Sequence, residues 1–409
     1  MKVGIIGSGG REHSICLALN KSKKIKEIYC FPGNAGTSAI AKNISIDLDN
    51  FNELKDFILS NNLNLIVVGP EKPLVDGIVD FLEEYNIKVF GPNKIAAQLE
   101  GSKIFTKNLC EKYNIPTAKF GVFGDMNEAI SFIEKTNYPI VVKADGLASG
   151  KGVFICKNKK DARSAIKEIF GGKFGTTKNI LIEEFLDGEE MSYFIISDGK
   201  TIKCFETAQD HKRVLEGDLG KNTGGMGAYS PSRLINDQLE KKILKKIIEP
   251  TIDGLKKIGT KYKGFLYAGL MIVKGEPYLI EYNVRMGDPE CQTILPKLNS
   301  DLLDIFISCC NEKLDKIEIN WYNKKSLCVV LCSKGYPDTF KKDVLIENIK
   351  KINIKKDEYC YHAGTKTINK KVYANGGRVL NFVCLSDDFN KSRKKIFIKI
   401  TVPVMIPNN

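Results

Sequence analysis

Across residues 1–100, short apolar runs alternate with stretches whose apolar positions recur at helical spacing. Val3–Ile6, Glu27–Cys30, Leu65–Val68 and Lys88–Phe90 read as strands, and Arg11–Leu19, Phe51–Leu59 and Val75–Tyr85 as helices. This βαβ rhythm predicts a parallel sheet. Ligands of such sheets gather beyond the C-terminal strand ends. Three glycine-bearing loops fall there: Gly7-Ser8-Gly9-Gly10, Pro32-Gly33-Asn34-Ala35-Gly36-Thr37 and Gly69-Pro70-Glu71. Their common location predicts a shared site.

The pattern changes after Gly101. Lys103–Tyr113 reads as a helix, Ile140–Lys143 and Val153–Cys156 as strands around a glycine loop, Asp161–Ile169 as a helix and Ile180–Glu183 as a strand. A strand pair follows at Leu266–Val273 and Tyr278–Tyr282, and a smaller β-rich module begins near Ser326. No internal repeat or long linker interrupts the chain. Its 409 residues exceed one compact core.

Composition narrows the class. No apolar run approaches the roughly 20 residues of a membrane span, and the N-terminus enters a strand-and-glycine pattern in place of a leader. The 12 cysteines are scattered without paired CxxC spacing, which fits buried thiols in a reducing, cytoplasmic setting. The net charge of +13 comes from lysines spread along the chain. Nucleic-acid binding would need clustered bases with interleaved aromatics, which are absent; anionic small substrates suit such a chain as well.

Gly7–His13 invites a dinucleotide reading, but the third glycine of G-x-G-x-x-G would fall at Glu12, and no acidic residue closes the second strand. Backbone N–H groups at this helix start could instead hold a phosphate, or the segment is a plain tight turn; His13 reads as a packing residue. Gly146–Gly152 has G-x-x-x-G-K spacing, with Gly152 where Walker A needs Ser or Thr. Strands on both sides make it a hairpin loop able to close over phosphates. Lys143, ending the preceding strand, is either a surface residue or a fixed phosphate cation, and the adjoining loop favours the cation. Glu183-Glu184-Phe185-Leu186-Asp187-Gly188-Glu189-Glu190 ends a strand and enters an acidic turn of a common kind; the strand exit could offer backbone groups to an adenine edge, and a carboxylate a few residues on could accept from ribose hydroxyls. The sharpest motif is Glu281-Tyr282-Asn283-Val284-Arg285. Glu281 and Asn283 share one strand face and are hard oxygen ligands suited to Mg²⁺. Arg285 continues that face and can grip a carboxylate or phosphate.

These residues resemble the phosphoribosylamine–glycine ligase (glycinamide ribonucleotide synthetase) family of ATP-grasp enzymes. Matching segments run in order across about residues 1–380; Ala208–Arg213 and Asn222–Pro231 are the most specific. Two departures stand out: Met286 replaces the family's Phe or Leu in Arg285-Met286-Gly287-Asp288-Pro289-Glu290, a volume-conserving change, and the terminal residues 400–409 differ from the family's closing segment.

The resemblance implies a Rossmann-like N-terminal domain (1–101), an ATP-grasp domain (102–325) with a lid subdomain at about 117–190, and a C-terminal β-rich domain (326–409). It implies that ATP, glycine and 5-phosphoribosylamine give glycinamide ribonucleotide, ADP and phosphate through glycyl phosphate in purine synthesis, with Mg²⁺ or Mn²⁺ as cofactor. Lys103, Lys143, Gly146, Gly150 and Lys151 would then serve the ATP phosphates. Glu183, Glu184, Phe185 and Leu186 would line the adenine site, and Glu190 the ribose. Glu281 and Asn283 would hold the metal. Arg285, Asp210 and Lys143 would act in catalysis, Arg285 and Asp210 against glycine and the acyl phosphate. Gly9, Asn34, Thr37 and Glu71 would meet phosphoribosylamine. The expected partners are small molecules, neither nucleic acid nor membrane, and the expected state is a monomer or weak dimer. The nearest alternative is another ATP-grasp carboxylate–amine ligase or a carboxylase.

Overall fold

Apolar strands with both faces buried demand cover on both sides, and the first hundred residues supply it. In the computed structural model, which describes residues 1–147, 152–173, 175, 179–217 and 219–400, they form a five-stranded parallel sheet. Its order is Lys42–Asn43, Glu27–Pro32, Lys2–Gly7, Leu65–Val68 and Val89–Phe90. Gly10–Leu19 and Phe51–Ser60 are helical as expected.

The single helix expected over Val75–Tyr85 is two short ones, Glu71–Asp76 and Ile78–Glu83. Gly77 breaks it with φ 97° and ψ 29°, its N–H returning to the carbonyls of Pro73 and Leu74. The apolar spacing reads through the break because Ile78, Val79 and Leu82 still bury one face. Lys42–Asn43, too short and polar to show periodicity, adds an edge strand.

A second, four-stranded antiparallel sheet runs Phe120–Phe123, Ile180–Glu184, Ile140–Ala144, Val153–Cys156. The helices Met126–Glu134 and Lys159–Phe170 pack on it around Ala129, Ile133, Val142, Ile166 and Ile169. This small subdomain therefore has an apolar cluster of its own.

The third sheet is the largest. Its eight strands are ordered Glu276–Asn283, Lys263–Val273, Glu189–Asp198, Ile202–Asp210, Gly227–Ser230, Lys325–Cys332, Arg378–Ser386 and Glu358–His362. Gly227–Ser230 pairs antiparallel with Lys325–Cys332, so the β-rich stretch beyond 326 extends the sheet that carries Glu281 and Asn283. The helix Phe389–Ile400 packs on it. Residues 401–409, where the sequence departs from the family's ending, lie outside the described residues.

No helix among the described residues is long and apolar enough to cross a membrane. All 12 cysteines are free and most are buried.

Gly77→Ala places a Cβ in the left-handed region and against the Lys94 side chain. The change costs about 1–2 kcal/mol, read as a lower thermal denaturation midpoint with unaltered activity. An unchanged midpoint would contradict the left-handed break.

Candidate functional site

A cleft of about 940 Å³ opens where the three sheets meet. The N-terminal loops contribute Gly9 and Glu71; the small sheet contributes Lys143, Glu183, Glu184, Phe185 and Leu186; the large sheet and its exits contribute Glu190, Asp210, Glu281, Asn283 and Arg285. Twelve residues picked from sequence thus face one space although up to 276 positions separate them (Gly9 to Arg285). Lys103, Gly146, Asn34 and Thr37 do not line it. Gly150 and Lys151 lie outside the described residues.

On the side of the small sheet, neighbouring strands bring Val141 opposite Glu183. Glu183 is buried, and its carboxylate lies 2.7 Å from Lys143 Nζ and 3.3 Å from Lys107 Nζ. Burial alone would raise the Glu183 pKa, but the two lysines hold it below the usual range. Its carboxylate is engaged by the two lysines, and the Glu183–Leu186 segment lines the cleft. The Glu184 carboxylate accepts the Lys119 N–H at 2.9 Å. Lys103 donates to the Gly146 carbonyl at 2.9 Å and thereby anchors the start of the glycine loop. Gly146 sits at φ 91° with open space around it.

Glu190, expected at a ribose, forms an ion pair with Lys212 at 2.9 Å that holds its carboxylate below the usual range. A sugar hydroxyl would share that carboxylate with the lysine. Asp210 is two residues before Lys212, at the end of its strand. Burial raises the Asp210 pKa; Lys212 opposes the shift, and Glu290 and Glu190 reinforce it. Tyr267, whose hydroxyl accepts from Ser192 at 2.9 Å, closes the same wall.

Glu281 and Asn283 both reach the cleft from the edge strand Glu276–Asn283, opposite Gly269 and Tyr267 in register. A glycine facing Glu281 leaves room beside its carboxylate. Among the described residues no group of three or more His, Cys, Asp or Glu side chains could hold a metal by itself. The Glu–Asn pair fits Mg²⁺, which takes one or two protein ligands and fills its shell with phosphate and water oxygens.

Arg285 lies just past the strand. Its Nη2 is 2.7 Å from Glu100 Oε1 and its Nε 3.4 Å from Glu71 Oε2. Asp288 then meets Arg378 at 3.2 Å and accepts from the Arg11 N–H at 3.3 Å.

The N-terminal loops behave differently from expectation. Glu12 folds back onto its own helix start, accepting from the Gly9 N–H at 2.6 Å and pairing with Arg11 at 2.6 Å. A side chain at Gly7 or Gly69 would collide with it. The glycines there make room for an internal carboxylate, and the N–H groups of Gly9 and Arg11 at this helix start have carboxylate partners. Asn34 and Thr37 are likewise occupied. Asn34 Nδ2 donates to the carbonyls of Ser8 and His362, its Oδ1 accepts from the Gly36 and Thr37 N–H groups, and Thr37 Oγ1 donates within the loop. Both side chains are buried, build the loop and do not line the cleft. His13 is buried against His362, whose N–H it accepts at 2.9 Å; burial and that neighbour lower its pKa to about 3, leaving it neutral.

Sequence reasoning missed Arg11, Glu12, Lys107, Lys212, Glu290 and Arg378. Lys212 had a signal, since it continues the i, i+2 spacing of Ala208 and Asp210. Glu12 meets Gly9 and Arg11 close by in the chain, whereas Lys107 and Arg378 meet Glu183 and Asp288 only through the tertiary fold.

Family models describing phosphoribosylglycinamide synthetase match residues 1–100 (N domain), 101–291 (ATP-grasp domain) and 326–403 (C domain). A phosphoribosylamine–glycine ligase of Brucella melitensis is 45% identical over 93% of this chain and 90% of its own. One from Caldanaerobacter subterraneus is 43% identical over 98% and 96%. The crystal structure of the Thermotoga maritima phosphoribosylamine–glycine ligase superposes with a TM-score of 0.85 at 34% identity, covering 98% of this chain and 96% of that one. A biotin carboxylase domain from Hydrogenobacter thermophilus shares the fold alone, with a TM-score of 0.75 at 16% identity. With all three domain models matched in order and near full-length likeness to ligases at more than 40% identity, the chain belongs to the phosphoribosylglycinamide synthetase family.

Proposed function

We propose that this protein joins glycine to 5-phosphoribosylamine with cleavage of ATP to ADP and phosphate, forming glycinamide ribonucleotide for purine synthesis. The observation that carries the reading is the convergence of Lys143, the Glu281–Asn283 pair, Arg285 and Asp210 on one cleft bordered by the N-terminal loops.

A carboxylate does not acylate an amine unaided, because its oxygen is a poor leaving group. In the proposed sequence a glycine carboxylate oxygen attacks the γ-phosphorus, the bond to the ADP oxygen breaks, and glycyl phosphate forms. The amine of phosphoribosylamine attacks the acyl carbon, the carbon–oxygen bond to phosphate breaks, and the nitrogen loses a proton. Most of this is positioning and charge neutralisation, and positioning contributes about 7–11 kcal/mol in favourable cases.

Lys143 would neutralise phosphate charge at the nucleotide end, beside the lid loop that starts at Gly146. The Phe185 and Leu186 segment would meet the adenine, and Glu190 the ribose. Mg²⁺ or Mn²⁺ held by Glu281 and Asn283 would supply charge for the phosphate oxygens. Arg285 would grip the glycine carboxylate and then the acyl phosphate. Asp210, its affinity for a proton raised by burial, would accept the proton lost by the amine. Gly9 and Glu71 would border phosphoribosylamine. Free, buried thiols suit a reducing cytoplasm, and we take the working unit as a monomer or weak dimer.

ADP release measured with each substrate omitted in turn tests the reading. We expect turnover that requires both glycine and phosphoribosylamine; release at the full rate without either would overturn it. For the metal pair, Glu281→Ala should lower kcat by about a thousandfold or more with the thermal midpoint unchanged. Activity retained at saturating Mg²⁺ would remove Glu281 as a ligand.

A further inference from the structure

Arg285 faces the cleft, but what fixes it lies behind. Glu100 belongs to the helix Lys94–Gly101, is almost fully buried, and does not line the cleft. Its two oxygens do different things. Oε1 accepts from Arg285 Nη2 at 2.7 Å, and Oε2 accepts the backbone N–H of Val284 at 2.8 Å. One carboxylate thus spans two consecutive residues, directly after Asn283. A backbone bond fixes where the chain turns, and an ion pair fixes where the guanidinium points.

The cleft side of Arg285 is held more loosely. Glu71, itself a cleft residue, stands 3.4 Å from Nε, and that buried nitrogen makes no hydrogen bond. A guanidinium offers five N–H donors in a rigid fork. Glu100 engages Nη2 from behind and Nη1 donates to the Met286 carbonyl at 3.4 Å, so Nε is the donor left beside the cleft residue Glu71. A lone arginine side chain would lose much rotamer freedom on gripping an anion; one already held from behind loses less.

We propose that Glu100 is a positioning residue: through Val284 and Arg285 it sets the exit of the metal-binding strand and the aim of the guanidinium together, and so governs capture of the carboxylate substrate without touching it. This rests on the reading of Arg285 as the glycine contact.

Glu100→Gln keeps the shape and one acceptor but removes the charge. Steady-state kinetics should show KM for glycine raised about tenfold or more, the range of a lost charge-assisted hydrogen bond, with KM for ATP within about twofold of the parent and the thermal midpoint little changed. Glu100→Asp, which keeps the charge but withdraws it by one methylene, should give the same direction with a smaller effect, and it serves as the readout if the Gln variant does not fold. In a double-mutant cycle, adding Glu100→Gln to Arg285→Lys should cost little beyond Arg285→Lys alone, because both act through one side chain. Unchanged glycine kinetics, an equal rise in KM for ATP, or full additivity with Arg285→Lys would each overturn the proposal. Failure of the underlying ligase reading looks different: the unmutated protein itself would then release ADP without glycine.

Discussion

The exit of the strand that carries Glu281 and Asn283 is held by buried opposite charges, and the geometry of the cleft depends on that holding. Arg285 lies between Glu100 and Glu71, Asp288 between Arg378 and the Arg11 N–H, and Arg11 between Glu12 and the Met286 carbonyl. The participants come from helices of the first hundred residues, the segment after the Glu276–Asn283 strand and a C-terminal strand. A buried charge without a partner costs several kcal/mol, so a shift in one module would strand charges in the others. The arrangement therefore sets where Glu281, Asn283 and Arg285 sit relative to the glycine loops.

The same logic runs on the side of the small sheet on a smaller scale. Glu183 is too deeply buried to stand alone, and lysines from two elements neutralise it: Lys143 from the small sheet and Lys107 from the helix Lys103–Lys112. Lys107 also donates to Thr117 at 2.7 Å, whose hydroxyl donates in turn to the Leu279 carbonyl at 2.7 Å. That chain of contacts ties the small subdomain to the strand carrying Glu281 and fixes the span between Lys143 and the Glu281–Asn283 pair.

How much of this was legible follows from distance along the chain. Strand and helix periodicity is local, so the parallel sheet, the hairpin around the glycine loop and the Glu281–Asn283 face could all be read directly. Gly77 escaped because apolar spacing continued through it. Polar residues in a glycine loop look like ligands from sequence, yet Asn34 and Thr37 satisfy the backbone of their own loop. Glu12 was read only as a failed glycine, although it is the group for which the neighbouring glycines leave space. Glu100 and Arg378 carried no local signal, because their partners stand 185 and 90 residues away.

The central claim is that the cleft activates a carboxylate by phosphorylating it before an amine attacks. Glycine labelled with ¹⁸O in both carboxylate oxygens tests this directly, through the isotope content of the phosphate released in a single turnover. The account predicts one labelled oxygen in each phosphate, carried across when the acyl–phosphate bond breaks at carbon. Phosphate released without label, while glycinamide ribonucleotide still forms, would contradict it.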